Sequence, residues 1–448
     1  MAVVTDPLYA LLGFAGIIIL LLVLITKFRW HVFLALLIPI LLFALIPGTD
    51  IDTFINAFEV GFGRTLGSIG VVIVLGATMG EAMKQTGAVQ QITRSMIRAV
   101  GRKRLPLALT LTGFVLGIAI FGDVAYVIIN PLIHAAAFEF GAGMGMMATG
   151  LVGAMQLTHA VVPPTPGPLA AASLVGADIG LLIFFGSLVS FSGAISCWIW
   201  AVTIGRRIPS PPSKEFVTSS EDDSANGPWP TTLNAYLPIV VPILLIGGHS
   251  IVKLMWPEGN LITQVLQYLG WPVVALSLGL GLAIRQARSD QKARAVNEWV
   301  QKGLTTSAMI FGVTGLGGTL SAIIEETPAV ESISHTIIQI GIPSIVLPFL
   351  IGVMVNMVTG SSTVGVITAA SLSAPLLPQL GLSPEAAVLA AASGSVIIKY
   401  VNSSYFWVCT SLSRMRVESA ILAYGGASLV GGLTSFAATY LLWYLDIL

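Results

Sequence analysis

Asp123 stands in a stretch, Leu105 to Val175, that holds no lysine or arginine. It closes the sequence Phe121-Gly122-Asp123, which interrupts the apolar run 105–136. A carboxylate set in hydrocarbon is costly and usually marks an ion or proton pathway. The chemistry expected of Asp123 is therefore proton exchange or the ordering of substrate hydroxyls; the alternative is a cap on a helix starting at Val124. Three other interruptions carry polar side chains. Thr158, His159 and Thr165 flank Pro163-Pro164-Thr165-Pro166-Gly167-Pro168 in the run 145–175. Asn356, Thr359, Gly360, Ser361, Ser362 and Thr363 break the run 343–376. Lys399, Asn402, Ser403 and Ser404 break the run 384–412. Hydroxyls and amides suit a polyhydroxylated ligand. Any one of them more often caps its own helix, but as a group at broken helices they mark a binding site. His159 is either a proton relay or substrate donor, or a packed donor. Lys399 can neutralise an anion, or snorkel its ammonium to the cytoplasmic face; snorkelling is the expectation.

The elements that must position these residues are membrane helices. The chain has 448 residues, of which 55% are hydrophobic and 9% charged. Soluble domains carry roughly 25% charge, so this chain cannot cover a water-facing surface. Lys+Arg and Asp+Glu are equal at 21 each, and without a basic excess nucleic acid is excluded as a partner. Apolar runs near the 20 residues needed to cross hydrocarbon predict spans at 8–26, 31–47, 65–84, 179–204, 233–254, 264–284, 303–324 and 418–445. The first is read as a permanent span, because no lysine or arginine precedes Lys27. Residues 205–232, rich in Pro, Ser, Asp and Glu, form a hydrophilic linker between a first membrane repeat, 1–204, and a second, 233–448.

The two halves read as related. An offset of 241 positions lays Gly76 on Gly317, Thr86 on Thr327, Ala88 on Ala329, Ile92 on Ile333 and Gly153 on Gly394. Their flanking charges swap. Residues 48–63 carry Asp50, Asp52 and Glu59, while 285–302 carry Arg285, Arg288, Lys292, Arg294 and Lys302. Residues 84–104 carry Lys84, Arg94, Arg98, Arg102, Lys103 and Arg104, while 325–345 carry Glu325, Glu326 and Glu331. Basic loops face the cytoplasm, so matching loops face opposite sides, as inverted repeats require. The fold expected is all-α and polytopic. Each repeat has about five transmembrane helices and one re-entrant hairpin, both termini lie outside, and the linker is cytoplasmic. The first hairpin opens to the cytoplasm and the second to the exterior.

Enzymatic signatures fail. No histidine precedes a glutamate, residue 120 is isoleucine where a GxGD aspartyl protease needs glycine, and neither GxSG nor a Walker A lysine occurs. Cys197 and Cys409 lie apart in apolar stretches and read as small buried hydrophobes; neither a cofactor nor a metal site is expected. Gly76/Gly80 and Gly113/Gly117 read as close helix packing. The rival to a transporter is a channel, which paired hairpins and two sealed breaks argue against.

Five stretches resemble the gluconate permease family: Thr158 to Ala172, Phe121-Gly122-Asp123-Val124, Gly61 to Gly70, Gly360 to Val364, and Val401 to Trp407. They occur in the right order over nearly the whole chain. The resemblance implies a bacterial inner-membrane symporter of the wider ion transporter superfamily, with inverted repeats, re-entrant hairpins and a dimeric, elevator-type mechanism. It implies a proton, or in a related reading sodium, coupled to a small organic anion such as a gluconate-like sugar acid or hydroxy acid. The family usually has PPHPGP, where Thr165 here replaces histidine. It usually has SHVNDSGFW, where Lys399, Tyr400, Ser403 and Tyr405 replace Ser, His, Asp and Gly. These departures imply a hydroxy acid that is smaller than gluconate or differently charged.

Overall fold

A computed structural model describes residues 3–4, 6–28, 30–213, 229–255, 261–289, 291–328, 341–397, 399–400 and 403–448. Asn402, the 214–228 part of the linker and most of the acidic stretch 325–345 lie outside them. The described residues are almost all helical and contain no strand. Hydrocarbon leaves a chain no partner for its backbone except itself, which is why helices carry it across.

In the first half α1 (Pro7–Thr26), α2 (Val32–Phe43) and α3 (Ile51–Gln85) are followed by a short helix, α4 (Ala88–Val100). Then come the hairpin α5 (Leu105–Gly117) and α6 (Gly122–Phe140), the broken helix α7 (Met144–Val161) and α8 (Pro166–Val175), and α9 (Ile179–Thr203). The second half repeats this order. It has α10 (Thr232–Met255), α11 (Leu261–Gly270) with α12 (Pro272–Arg285), and α13 (Val300–Glu325). The hairpin α14 (Val346–Thr359) and α15 (Ser362–Ser373), the broken helix α16 (Pro384–Ser395) and α17 (Ser404–Leu412), and α18 (Gly426–Tyr444) complete it. The offset of 241 carries α2 and α5 onto α12 and α14 to within a residue or so, and lays α3, α6 and α9 over α13, α15 and α18 with one end of each pair displaced by six to eight residues. The fold is therefore two inverted repeats, each with a hairpin and a broken span.

Packing follows the same symmetry. α3 lies along α13, and α9 along α18. The hairpin arms cross over, with α6 against α17 and α15 against α8. Small residues allow the approach. A Cβ on Gly61 of α3 would stand 2.5 Å from the Gly318 carbonyl oxygen of α13, and one on Gly117 of α5 would stand 2.5 Å from that of Met155 in α7. Gly113 meets Leu151 in the same way, so the expected role of Gly113/Gly117 in close packing holds. Charges tie the ends: Lys302 Nζ lies 3.0 Å from Glu81, which also meets Lys84. Asp178 caps α9 and accepts from Ser250 Oγ, while its own N–H donates to Glu385.

Several boundaries differ from expectation. The third span is longer than 65–84, because Asp50 caps a helix running unbroken from Ile51. Residues 88–100, read as a loop, form α4; it buries Ala88, Val89, Ile92 and Thr93, leaves Arg98 exposed and stacks the half-buried Arg94 on the Trp229 ring. The expected span 264–284 bends by 66° at Trp271, just before Pro272, whose ring disfavours helix at the preceding residue.

Candidate functional site

Each interruption is made by local chemistry. α7 stops at Val162, which is extended because Pro163 follows it. α8 restarts with Pro166 at its first turn. α14 stops at Gly360, whose φ of +68° is the left-handed conformation glycine adopts most readily. Ser361 then caps α15, accepting from Val364 N–H at 3.3 Å. Phe121 is extended and starts α6. α16 ends at Ser395, earlier than expected, and Ser403 is the residue before α17.

These interruptions converge. Phe121, Gly122, Asp123, Gln156, His159, Gly360, Ser361, Ser362, Thr363, Lys399, Ser403, Ser404 and Tyr405 line one cavity of about 160 Å³. Its walls include both hairpin tips and both broken helices. The N-termini of α6, α15 and α17 all line it, each presenting the positive end of a helix dipole. The volume falls below the 300–1,000 Å³ of pockets for drug-sized ligands, so it suits a small acid. Two polar atoms of the lining are buried without a hydrogen-bond partner, His159 Nδ1 and Ser362 Oγ. Buried polar atoms seldom go unmatched, and a bound ligand would match these.

Of the residues expected in the site, Asp123, His159, Gly360, Ser361, Ser362, Thr363, Lys399, Ser403 and Ser404 line the cavity. Thr158 does not: it is buried, with its hydroxyl donating to Ala154 O at 3.0 Å. Thr165 is absent from it as well. Its hydroxyl donates to Val162 O at 2.7 Å inside the break, and it borders a separate void of about 10 Å³ that also touches His159. Asp123 accepts from Val124 N–H at 2.9 Å and sits at the cavity wall.

Lys399 corrects an expectation. Its ammonium does not snorkel; the residue is 5% exposed. Nζ donates to Gly360 O at 2.6 Å and to Asn356 Oδ1 at 3.4 Å. Asn356, in turn, donates from Nδ2 to Ile397 O at 2.7 Å. Snorkelling fails because α16 ends at Ser395 and Ser428 Oγ holds the Lys399 N–H at 3.0 Å, which fixes the lysine inside the break.

Sequence reasoning missed Gln156 and Tyr405. Gln156 Nε2 reaches across from α7 to Val396 O at 3.1 Å. Tyr405 donates to Val152 O at 3.2 Å, and its ring lies where a Cβ on Gly122 would stand 3.0 Å away. A glutamine inside an apolar helix was the available signal for the first.

The family described as GntP family permease matches residues 9–445. The chain belongs to the GntP permease family. An uncharacterized permease of Haemophilus influenzae is 33% identical over 415 residues, covering 89% of this chain and 84% of that protein. The gluconate permease of Pseudomonas aeruginosa is 30% identical, covering 92% of each. The crystal structure of the Alcanivorax borkumensis YdaH transporter, described as having an unusual topology, superposes with a TM-score of 0.59 at 16% identity. It covers 88% of this chain and 90% of that one, a likeness of fold alone. This GntP family member is thus a multi-pass membrane permease and not an enzyme. Of its departures from the usual family pattern, Lys399, Ser403 and Tyr405 line the cavity.

Proposed function

We propose that this permease is a secondary active transporter for a small hydroxylated organic anion, a gluconate-like sugar acid or hydroxy acid, taken up with a proton. The observation that carries the reading is the meeting of three helix N-termini, the Lys399 ammonium and a ring of hydroxyls at one small cavity. N-termini and a cation attract a carboxylate, and Ser361, Ser362, Thr363, Ser403 and Ser404 match sugar hydroxyls. Asp123 and His159 are the proton-coupling candidates: one acid and one imidazole on the same wall. Asn402 is retained as a site residue from its place in the break. The gluconate permease among the relatives supports the substrate class.

The transport cycle is read as an elevator, in which the two hairpins and broken helices move against the α3–α13 pair. A second, wider cavity of about 890 Å³, bordered by Asp52, Arg64, Ser68, Ser173, Glu325 and Glu326, lies between α3, α8 and α13 and shares no wall residue with the first. With the termini outside and the 205–232 linker cytoplasmic, this larger cavity is the outer vestibule. A membrane-impermeant thiol reagent applied from outside should then label a cysteine placed near 340 and spare one near 98; the reverse would overturn the orientation.

The function itself is tested with purified protein. Its melting temperature is screened against sugar acids and hydroxy acids, since a ligand that binds the folded state raises it. Hits are then tested for saturable uptake into proteoliposomes under an inward proton gradient. No hit at millimolar ligand, or unitary currents in a planar bilayer, would sink the proposal.

A further inference from the structure

The offset between the repeats makes Lys399 the counterpart of Thr158, and Gly360 the counterpart of Ala119. In the first half that position is a buried hydroxyl bonded within its own helix, and no lysine or arginine occurs anywhere from Leu105 to Val175. In the second half it is a buried ammonium whose partners are two carbonyl-type oxygens, Gly360 O and Asn356 Oδ1. Among the described residues no carboxylate lies within ion-pair distance of it, although Asp123 shares the cavity. Gly360 closes α14, so its carbonyl belongs to the helix end that carries partial negative charge and unsatisfied C=O groups. Gly360 N–H caps Asn356 O at 2.8 Å, which turns the Gly360 carbonyl toward the break. Carbonyl oxygens at the C-terminal end of a broken helix are among the groups that coordinate coupling cations in secondary transporters. Here the chain fills that place from its own side chain.

We propose that the Lys399 ammonium is a tethered substitute for a free monovalent cation, seated on Gly360 O and Asn356 Oδ1 at the tip of the second hairpin. It supplies a fixed positive charge at the cavity without drawing an ion from solution. If the cavity is an anion site, as read above, this is the charge that meets the carboxylate, and cation coupling is confined to the first half of the molecule. The seat has its own chemistry, so its test needs no substrate.

The test uses the full-length protein with Lys399→Ala, which empties the seat. Melting temperature is measured at equal ionic strength in choline chloride, whose cation is too bulky, and in methylammonium chloride or sodium chloride. Wild type should melt alike in all three. K399A should melt lower than wild type in choline and rise by at least about 2 °C in methylammonium or sodium. Lys399→Met, whose neutral stem fills the space, should melt low and not respond. The proposal falls if K399A matches wild type in choline, if it gains no more than wild type from either cation, or if K399M gains equally. Should K399A not fold in any of the salts, K399M decides: stability equal to wild type overturns the seat, and destabilisation supports it. If no organic acid shifts wild type while K399A answers to methylammonium, the substrate reading fails and the seat stands.

Discussion

The first hairpin meets the cavity with Phe121-Gly122-Asp123, an aromatic ring, a glycine and an acid. The second meets it with Gly360-Ser361-Ser362-Thr363, four small residues, the first of which holds through its carbonyl a lysine from the neighbouring break. The backbone of the two tips is related by the repeat, yet the charges stand differently, with the acid on the first tip itself and the cation on the second break, seated against the second tip. An anion needs the cation to bind, and a coupled proton needs an acid that can be neutral or charged. In the proposed cycle, an acid on the first hairpin and a cation on the second break would let one cavity serve both without a direct ion pair between them.

The sharpest way to break this division is Asp123→Asn, which removes the charge and keeps the shape. Proton-driven accumulation in proteoliposomes is expected to be abolished, while exchange of labelled for unlabelled substrate continues. A D123N protein that still concentrates substrate as wild type does would remove Asp123 from coupling. Next in size is Lys399→Gln, in the break that packs against the other tip. KM for the anion should rise by roughly tenfold or more, equivalent to about 1.4 kcal/mol for one lost charge contact, with maximal rate changed less. An unchanged KM would assign the anion to the helix N-termini alone.

How much of this contrast could be read from the chain depends on what hydropathy reports. It reports depth. Clusters of polar residues and glycines inside an apolar run mark where the helix breaks or turns, so both hairpins, both breaks and nine lining residues followed from sequence. It does not report direction around a helix end, and so Lys399 was expected at the membrane surface when Ser428 and Gly360 hold it within. Nor does it separate hydroxyls used by the chain from those left for a ligand. Thr158 and Thr165 look like Ser362 in sequence, yet their hydroxyls are taken up by Ala154 and Val162 carbonyls. Ser362 Oγ has no partner. Gln156 and Tyr405 were missed because their contacts, with Val396 and Val152, join residues more than two hundred positions apart.

The hairpins also differ in how they are held, and a packing substitution sharpens this. A Cβ on Gly117, near the first tip, would meet the Met155 carbonyl and the Thr158 side chain, both on α7 and neither free to retreat. Gly117→Ala should cost about 1–3 kcal/mol, the usual range for overpacking, seen as a lower melting temperature in detergent. Full stability would mean that α5 can slide on α7, and the first hairpin would be the looser of the two.

The smallest effect expected is at the arm behind the first tip. Tyr126, one turn from Asp123 on α6, is fully buried, and its hydroxyl lies 2.5 Å from Ser413 Oγ. Ser413 Oγ lies 2.7 Å from the hydroxyl of Tyr424, which sits in the π-helical turn Ile421–Gly425 before α18. Three hydroxyls thus fasten a first-half hairpin to the second half. The counterpart of Tyr126 by the repeat is Ile367, buried and apolar, so the second hairpin has no such tie at that level. Tyr126→Phe removes one hydroxyl but leaves Ser413 with Tyr424, so the loss should be that of a single net hydrogen bond, about 1 kcal/mol. Ser413→Ala, which takes from both phenols their shared partner and leaves them only each other, should cost more, because it removes two hydrogen bonds where Tyr126→Phe removes one phenol's. Denaturation of the two variants side by side checks the order. If Tyr126→Phe were the more damaging, the phenol would be held by its ring packing against α17 and not by the hydroxyl chain, and the two hairpins would be anchored by the same apolar means after all.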